Sequence, residues 1–397
     1  MSISRPLPLL LALVLCAGCA QTRPPEEKPD YGRPLPPGAN ALVKITDPAE
    51  IPDCRAAFAD RVGLVEAIDR SLEYMTKPSS RGHFPRSGIS HARTAASLQA
   101  FRDLVTTAAS AGEFQRTLER DFEFFRSYGY DGRGSVFVTA YCTPIYDASR
   151  ERTERFRYPL YGLPPEIVKA PGGTPLGTKD ATGAIGRSPT RAEIETGRLY
   201  ANRGLEVAWL ENPVDVYVIH VQGSAKLRLP DGSLAHVGYA GKTEHPYVSV
   251  GRALVAEGKI ARGELSLTRM RRYFRENPRE VAGWLNRNPS YVFFQDYPPG
   301  MPHGSLGFPV TPYRTIATDK SLFPRASVVF MDVDVPAAAA RGVGMRPFRS
   351  FVLDQDTGGA IRAAGRADLY FGVGPEAERL AGRQSSVGRM VYVFVKE

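Results

Sequence analysis

Two aspartates near the C-terminal end of the sequence have neighbours that favour acid–base chemistry. Asp356 and Asp368 lie twelve residues apart, and the Gly358–Gly359 pair between them allows a turn that would place two strands side by side. An apolar strand around Asp368 would remove water from its carboxyl group, and burial raises the pKa of a carboxyl group. A carboxylic acid that is protonated at neutral pH can act as the general acid in glycosidic bond cleavage. The alternative is that each aspartate only stabilises a turn by bonding its own backbone.

Other familiar catalytic motifs are missing from the sequence. It contains no Walker loop, no dinucleotide-binding fingerprint after a strand, no H-E-x-x-H, no paired C-x-x-C and no serine hydrolase elbow. The six histidines are scattered without the spacing of metal ligands. We therefore expect neither a catalytic metal nor a cofactor.

The composition is that of a soluble chain of two or three domains. The sequence has 397 residues, of which 43% are hydrophobic and 23% charged, and this excludes a polytopic membrane protein and a wholly disordered one. Lysine and arginine number 51 and aspartate and glutamate 42, so the formal net charge is +9. Excess positive charge favours an anionic partner such as nucleic acid, lipid headgroups or a cell-wall polymer. The excess is diffuse, so charge alone does not select among these partners.

The N-terminal residues have the pattern of an export signal. Arg5 precedes a short apolar run, Leu9–Leu15, and small residues follow ahead of Cys19. This run is too short to span a membrane, which needs about twenty apolar residues. The pattern resembles the lipobox of bacterial lipoproteins and predicts a signal peptide at 1–18 with lipidation of Cys19; an ordinary secretory signal is the alternative. Proline and polar residues dominate residues 19–45, which we interpret as a tether.

Hydrophobic periodicity divides the rest of the chain into a helical region and a longer region of strands. Apolar residues recur at three- and four-residue intervals in residues 50–128, which predicts amphipathic helices. Two further helices are predicted at 249–257 and 266–285, the second with Ser266 as its N-cap. Runs of β-branched and aromatic residues predict strands at 135–141, 214–221, 226–229, 328–333, 348–353, 368–371 and 390–395, with a hairpin turn at 230–232.

Two cysteines remain once the signal peptide and the lipidation site are set aside. Cys54 and Cys142 would both enter an oxidising compartment after export, where such a pair can form a disulfide. The alternative is two separately buried thiols, because a sequence does not contain the distance between the two residues.

Several motifs, taken together and in order, resemble one known family. They are Asp356–Ile361, Arg366–Gly374, Ala381–Arg383 and Gly388–Val391 at the C-terminal end, and Tyr158–Gly162, Val221–Ser224, Gly238–Lys242, Asn288–Phe294 and Thr311–Ala317 in the middle of the chain. The family is that of the membrane-bound lytic murein transglycosylase A (MltA), whose C-terminal region is called the 3D domain. The resemblance covers about residues 130 to 397, and the lipoprotein signal also fits this family.

The resemblance implies a mainly β fold with added helices. It implies a double-psi β-barrel domain and a β-rich inserted domain that face each other across a groove. The implied order is the signal peptide at 1–18, the tether at 19–45, a helical region with the first barrel strand at 46–149, the MltA-specific insert at 150–295 and the barrel (3D) domain at 296–397.

The resemblance also implies an activity. Members of this family cleave the β-1,4 bond between N-acetylmuramic acid and N-acetylglucosamine in peptidoglycan without water and leave a 1,6-anhydro end. By position, Asp368 matches the catalytic aspartate, which acts first as acid and then as base, and Asp356 matches an aspartate that positions substrate. A wall-binding or scaffolding lipoprotein that does not cut is the alternative, because fold does not determine function. A hydrolytic glycosidase is a third and less favoured hypothesis.

Further residues of these motifs are candidates for contact with the glycan. Gln222 and Ser224 offer amide and hydroxyl groups, Gly359 lies in the glycine-rich turn after Asp356, and Tyr141 offers an apolar face with a phenolic tip. For Gln222 and Ser224 the alternative is that their side chains stabilise a hairpin. Near Tyr141 the sequence departs from the family pattern, since Cys142 replaces an aromatic residue, and this puts some sugar subsites in doubt.

The partners implied by the resemblance are those of a cell-wall enzyme. We expect peptidoglycan glycan strands as substrate, the outer membrane as the site of the lipid anchor on its periplasmic face, and cell-wall synthesis or division proteins as candidate partners. Nucleic acid is not expected.

Overall fold

The computed structural model describes residues 29–170, 173–338 and 342–397. The predicted signal peptide, Cys19 and the first residues of the predicted tether lie outside this part of the chain. Residues Tyr31–Glu397 form one compact unit. Among the described helices, none combines the length and the apolar character that crossing a bilayer requires.

Strands outnumber helices in the described chain. The strands are β1 (Leu42–Lys44), β2 (Phe122–Ser127), β3 (Val136–Thr143), β4 (Ile145–Ser149), β5 (Tyr158–Tyr161), β6 (Ile167–Lys169), β7 (Pro175–Lys179), β8 (Ile185–Gly186), β9 (Glu206–Leu210), β10 (Ser224–Arg228), β11 (Leu234–Lys242), β12 (Val292–Tyr297), β13 (Thr315–Ala317), β14 (Val328–Ala338), β15 (Val343–Asp356), β16 (Arg366–Val373) and β17 (Ser386–Val395). The helices are α1 (Leu64–Thr76), α2 (His91–Thr107), α3 (Ala111–Asp121), α4 (Arg191–Glu195), α5 (Pro213–Gln222), α6 (Val250–Ala256), α7 (Leu267–Glu276), α8 (Val281–Leu285) and α9 (Pro375–Ala381).

Six strands close into a barrel. The largest sheet has the order β1-β2-β17-β14-β15-β13-β16-β3, and an additional pairing of β17 with β3 joins its last six strands into a ring. The β13–β15 and β16–β3 pairs are parallel, whereas β14 pairs antiparallel with both β15 and β17. Buried apolar side chains such as Val329, Val352 and Leu369 fill one continuous core. The predicted barrel fold is therefore confirmed.

The helical N-terminal region packs on the barrel. Helices α1, α2 and α3 share a second apolar core with barrel residues, in which the Phe101 and Phe351 rings lie 4.7 Å apart. The prediction of helices in residues 50–128 is confirmed for these three elements but wrong for Phe122–Ser127, which is strand β2. Its buried residues Phe122 and Phe124 alternate with more exposed ones, which is the period of a strand. The helix prediction followed Leu118, Phe122 and Phe125, whose spacing of four and three residues also fits a helix.

The predicted tether is too long at its C-terminal end. Residues Leu42–Lys44, which we assigned to it, form β1 and pair antiparallel with β2. Earlier in the same segment, the ring of Tyr31 stacks 4.9 Å from that of Phe137 on β3. The apolar residues among the prolines have partners on the barrel, so composition alone misplaced the boundary.

The β-rich insert begins where the first barrel strand ends. Only Pro144 separates β3 from β4, and β4 belongs to a six-stranded sheet with the order β12-β11-β10-β4-β9-β5. A separate three-stranded sheet comprises β6, β7 and β8. The chain leaves this region after β12, which ends at Tyr297. The chain therefore passes between the barrel and the insert twice, once after β3 and once after β12.

Residues 214–221 are helical, not the strand that their β-branched side chains suggested. Helix α5 begins after Asn212, whose side chain accepts a hydrogen bond from the Val214 amide, and ends at Gly223 in a left-handed conformation (φ 78°). Six of its ten residues are buried. A helix buried on most sides lacks a polar face, so the 3.6-residue period disappears from its sequence.

The predicted helix at 266–285 is two helices. Ser266 caps α7 as expected, because its hydroxyl accepts a hydrogen bond from the Arg269 amide. Pro278 lacks an amide hydrogen and cannot continue α7, so the chain resumes as α8 at Val281. The helix predicted at 249–257 is confirmed as α6.

The two cysteines are free and buried, so the disulfide reading is wrong for this structure. Cys54 lies in the core between the helices and the barrel, whereas Cys142 lies in the barrel core. Burial raises the pKa of both thiols, which keeps them protonated.

Arg314 joins the helical region to the barrel and should be important for stability. Its buried guanidinium donates hydrogen bonds to Asp60, to the Val62 carbonyl and to the Ser350 hydroxyl. Replacing Arg314 by alanine removes the donor of the Val62 carbonyl and the cation that pairs with Asp60, which keeps only the hydrogen bond from Ser350. We expect unfolding by urea to show a loss of about 3 kcal/mol.

Arg349 provides the matched control. It pairs with Asp332 at 3.2 Å, but both side chains are about half exposed. Replacing Arg349 by alanine should change stability by less than about 0.5 kcal/mol. Equal effects of the two substitutions would contradict the proposed role of Arg314.

Candidate active site

Strand β13 lies between the two strands that carry the predicted aspartates. Ala317 is the register partner of Asp356 on β15 and also of Asp368 on β16. Neighbouring strands lie about 4.8 Å apart, so the two aspartate backbones are separated by about 10 Å across the sheet. The prediction that their strands lie side by side is therefore wrong, because β13 separates β15 from β16, but the shared register partner still brings the two aspartates to one region of the barrel.

Asp368 is a largely desolvated carboxyl group with one hydrogen-bond donor in the described structure. The Thr139 hydroxyl donates to its Oδ1 at 2.7 Å, because Thr139 is its register partner on β3. Burial raises the pKa of Asp368 to about 6 against the opposing effects of Thr139 and Arg366, and the charge of Asp356 adds to the rise. The side chain keeps partial access to solvent. It can therefore carry a proton near neutral pH and still meet a ligand.

Asp356 has a different environment. The Tyr141 hydroxyl donates to its Oδ2 at 2.7 Å, and the Ser305 and Thr357 amides donate to its Oδ1 at 2.8 Å each. Burial still raises the pKa of Asp356, but all three hydrogen bonds oppose the rise because they favour the charged form. Asp356 is thus held in one orientation, which suits a positioning group better than a proton donor.

Tyr141 orients Asp356 with its hydroxyl group. Its ring is half-buried and lies 5.0 Å from that of Tyr370, to which it is tilted by 47°. Since the hydroxyl already donates to Asp356, a ligand can meet only its oxygen as an acceptor and the exposed part of the ring. Contact between Tyr141 and substrate stays a prediction.

Gln222 and Ser224 connect the insert to β3. The Gln222 side-chain oxygen accepts a hydrogen bond from the Cys142 amide at 2.9 Å. The buried Ser224 hydroxyl lies 3.1 Å from that of Thr143, which lies 3.1 Å from the Tyr370 hydroxyl. These contacts favour the stabilising role for Ser224, although they join a helix end and a strand to β3 instead of closing a hairpin. Contact of the Gln222 amide nitrogen with glycan stays a prediction.

Gly359 lies apart from these contacts. It is exposed in the connection between β15 and β16, and a Cβ atom built on it would meet nothing within 4 Å. Packing therefore gives no reason for glycine at this position, and its role in binding stays a prediction.

Cationic side chains of both domains approach the site. Burial lowers the pKa of Arg366, and Arg252 and Tyr247 of the insert act on the same group through space. Burial also lowers the pKa of Lys242 of the insert, and the positive charge of Arg362 in the β15–β16 connection adds to this effect. The insert thus faces the barrel near Asp368, and both domains contribute cationic side chains where they meet.

Thr139 and Arg366 belong to the site, although no sequence motif indicated a role for either side chain. Arg366 donates to the Thr139 hydroxyl at 3.1 Å, so the three residues Arg366, Thr139 and Asp368 form a chain. Arg366 could have been suspected, because it lies two residues before Asp368 on the same face of a strand. Thr139 could not, because its position depends on the pairing of two strands more than 200 residues apart.

The fold and the site together define a class of protein: a closed barrel that holds one weakly acidic, desolvated carboxyl group opposite a β-rich inserted domain. Comparisons with known proteins agree. The MltA specific insert domain matches residues 137–295 and the 3D domain matches residues 314–394.

Similar proteins and a similar solved structure have the same description. Membrane-bound lytic murein transglycosylase A of Vibrio cholerae is 33% identical over 264 residues, or 66% of each chain. That of Escherichia coli K12 is 30% identical over 283 residues, or 71% of this chain and 72% of the relative. The crystal structure of membrane-bound lytic murein transglycosylase from Agrobacterium tumefaciens is 27% identical, with a TM-score of 0.74 over 89% of this chain and 98% of that one. The chain belongs to the membrane-bound lytic murein transglycosylase A family.

The hydrogen bond from Thr139 should control the acidity of Asp368. Replacing Thr139 by valine keeps the shape of the side chain but removes the donor that stabilises the carboxylate. The pKa of Asp368 should then rise by about one unit, the equivalent of one hydrogen bond to a charged group. Carbon-13 NMR of the aspartate carboxyl groups measures this pKa directly. Thr139→Ser keeps a hydroxyl and should titrate like the wild type; an unchanged titration in Thr139→Val would refute the assignment.

The raised pKa of Asp368 also predicts a pH-dependent stability. The protonated form is favoured in the folded state, so its stabilisation is complete below about pH 4 and is lost as the pH rises through about 6. Asp368→Asn removes the buried charge and keeps an acceptor for Thr139. The free energy of unfolding of this variant minus that of the wild type, measured in urea, should increase by about 2 kcal/mol from pH 4 to pH 7.5. The exposed substitution Asp332→Asn should show no such gain, and the same curve for both variants would exclude a desolvated Asp368.

Proposed function

We propose that the protein is a peptidoglycan lytic transglycosylase in which Asp368 is the single catalytic acid and base. The observation that carries the proposal is the state of Asp368: a partly accessible carboxyl group beside the cleft with a pKa of about 6 and a single described donor. The bond cleaved is the β-1,4 bond between N-acetylmuramic acid and N-acetylglucosamine. The family membership supports this choice of substrate.

The reaction needs two proton transfers by the same carboxyl group. Protonated Asp368 donates its proton to the glycosidic oxygen as the bond to the anomeric carbon breaks. The resulting carboxylate then takes the proton of the C6 hydroxyl of the muramic acid, and that oxygen bonds to the anomeric carbon to form the 1,6-anhydro ring. The attacking oxygen belongs to the same sugar, so its effective concentration is high and no water has to be positioned. Asp368 ends the cycle protonated.

The environment of Asp356 supports a lytic over a hydrolytic reaction. A hydrolase needs a second carboxylate that attacks the sugar or activates water. Both oxygens of Asp356 already accept hydrogen bonds, from Tyr141 on one side and from two backbone amides on the other. These donors weaken it as a base, so Asp356 is proposed to position the substrate.

We further propose that the protein is held at the periplasmic face of the outer membrane by a lipid on Cys19. The sequence before Cys19 supports this anchor, and the relatives are named membrane-bound. A tether shortened by the packing of residues 31–45 would connect the anchor to the domains. Interaction with cell-wall synthesis or division proteins stays a prediction.

Replacing Asp368 by asparagine should abolish the cleavage. Asparagine cannot donate a carboxylic proton, and removal of a general acid costs about 100- to 10,000-fold in rate. The measurement is mass spectrometry of products released from purified sacculi, where the wild type should give 1,6-anhydro muropeptides. Asp332→Asn, an exposed barrel variant, should keep wild-type products.

Each other product pattern selects a different function. Reducing ends without anhydro sugars would show a hydrolase. A wild-type protein that binds sacculi but releases nothing would show the wall-binding alternative. Anhydro products from Asp368→Asn at the wild-type rate would exclude Asp368 as the acid.

A further inference from the structure

The inserted domain contains a cavity that the proposed reaction does not use. It has a volume of about 720 Å³ and lies among β5, β9 and the helices α5, α7 and α8. Apolar and aromatic side chains form much of its wall, including Pro159, Trp209, Phe274, Val281 and Leu285. This volume is within the range of small-molecule and peptide pockets.

Four arginines at this cavity have no anionic partner. Arg152, Arg157, Arg198 and Arg275 line the cavity, and in the described part of the chain their side chains form no ion pair or hydrogen bond. Arg275 acts through space on Glu276, but that carboxylate is already paired with Arg272. All four are exposed at its rim. Guanidinium groups bind carboxylates through paired hydrogen bonds, so the rim is suited to a ligand with several carboxylates.

The acidic residues at the cavity do not neutralise these arginines. Glu195 is paired with Arg191 at 2.6 Å, and Glu211 with Arg155 at 2.9 Å. Neither of those two arginines lines the cavity. The positive charge of Arg152, Arg157 and Arg198 is therefore not neutralised by an ion pair in the described chain, whereas both of these carboxylates are already paired.

The cavity is separate from the proposed active site. Helix α5 has its first residue, Pro213, at the cavity and its last residue, Gln222, in contact with β3. Ten helical residues span about 15 Å, so a ligand in the cavity does not occupy the place of the cleaved bond.

We propose that this cavity binds the carboxylate-bearing peptides attached to the glycan strands of peptidoglycan. This proposal rests on the proposed function, which brings the protein to this polymer. The sugars carry mainly neutral hydroxyl groups, which do not need four cations for binding. The peptides carry several free carboxylates together with short aliphatic groups. The apolar wall would take the aliphatic parts and the arginine rim the carboxylates. Bound in this way, the peptide holds the strand on the insert while the sugar lies at Asp368.

Binding of the free peptide to the full chain tests the proposal. The probe is the stem tetrapeptide with its three free carboxylates, and the comparison is the same peptide with these groups amidated. Calorimetry and the fluorescence of Trp209, which lines the cavity, report binding. The double variant Arg157→Gln/Arg198→Gln should bind the peptide at least about tenfold more weakly. Arg262→Gln/Arg389→Gln loses the same charge at exposed positions that do not line the cavity and should bind like the wild type.

The outcomes separate this proposal from the proposed function. Free-peptide binding needs no bond cleavage, so a protein that releases no anhydro products can still support or refute the peptide site. Equal binding of the amidated peptide, or unchanged binding by Arg157→Gln/Arg198→Gln, would overturn the proposal. It would also be overturned if the tetrapeptide did not bind while vesicles of phosphatidylethanolamine and phosphatidylglycerol bound through the same two arginines.

Discussion

The desolvation of one carboxyl group, that of Asp368, is the constraint on which the rest of the structure depends. The group lies between β13 and β3 in a closed barrel, so a paired strand covers it on each side and only partial access to solvent is left. The packed helices α1 to α3 support the outer face of the same barrel. If the barrel opened, the pKa of Asp368 would fall towards that of an ordinary aspartate, and the proton that the proposed reaction requires would be lost at neutral pH.

The attachment of the insert explains how the cleft is aligned with this group. Strands β3 and β4 are separated by one proline, so the strand that carries Thr139 and Tyr141 continues directly into the inserted domain. A second connection is polar: Arg271 of α7 contacts Asp215 and donates to the Tyr146 hydroxyl, which donates to Glu378 of barrel helix α9 at 2.7 Å. The chain connection and this polar contact together fix the orientation of the insert, with its cationic side chains towards the barrel.

Local patterns in the sequence predicted the parts of the site that are local. The strands around Asp368 and the turn after Asp356 follow from short runs of residue types, and so does the Ser266 cap. Thr139 was missed because its role depends on a strand pairing that has no local signal. Helix α5 was missed because burial on most sides removes helical periodicity. The cysteine pairing was left open for the same kind of reason, since the two cores that separate Cys54 from Cys142 exist only in the folded chain.

Three aspartates close in sequence have different roles because their hydrogen-bond and ion-pair partners differ. Asp354 is buried in an ion pair with Lys320 and accepts a hydrogen bond from Tyr392 at 2.8 Å, so its charge serves the barrel core. Asp356 accepts from three donors at the edge of the cleft and is fixed as an acceptor. Asp368 has one described donor and mostly dry surroundings, and burial raises its pKa to about 6. The same scarcity of donors that makes its charged form unfavourable for folding is what makes its neutral form available for chemistry, so the fold bears a cost at this position that the proposed reaction requires.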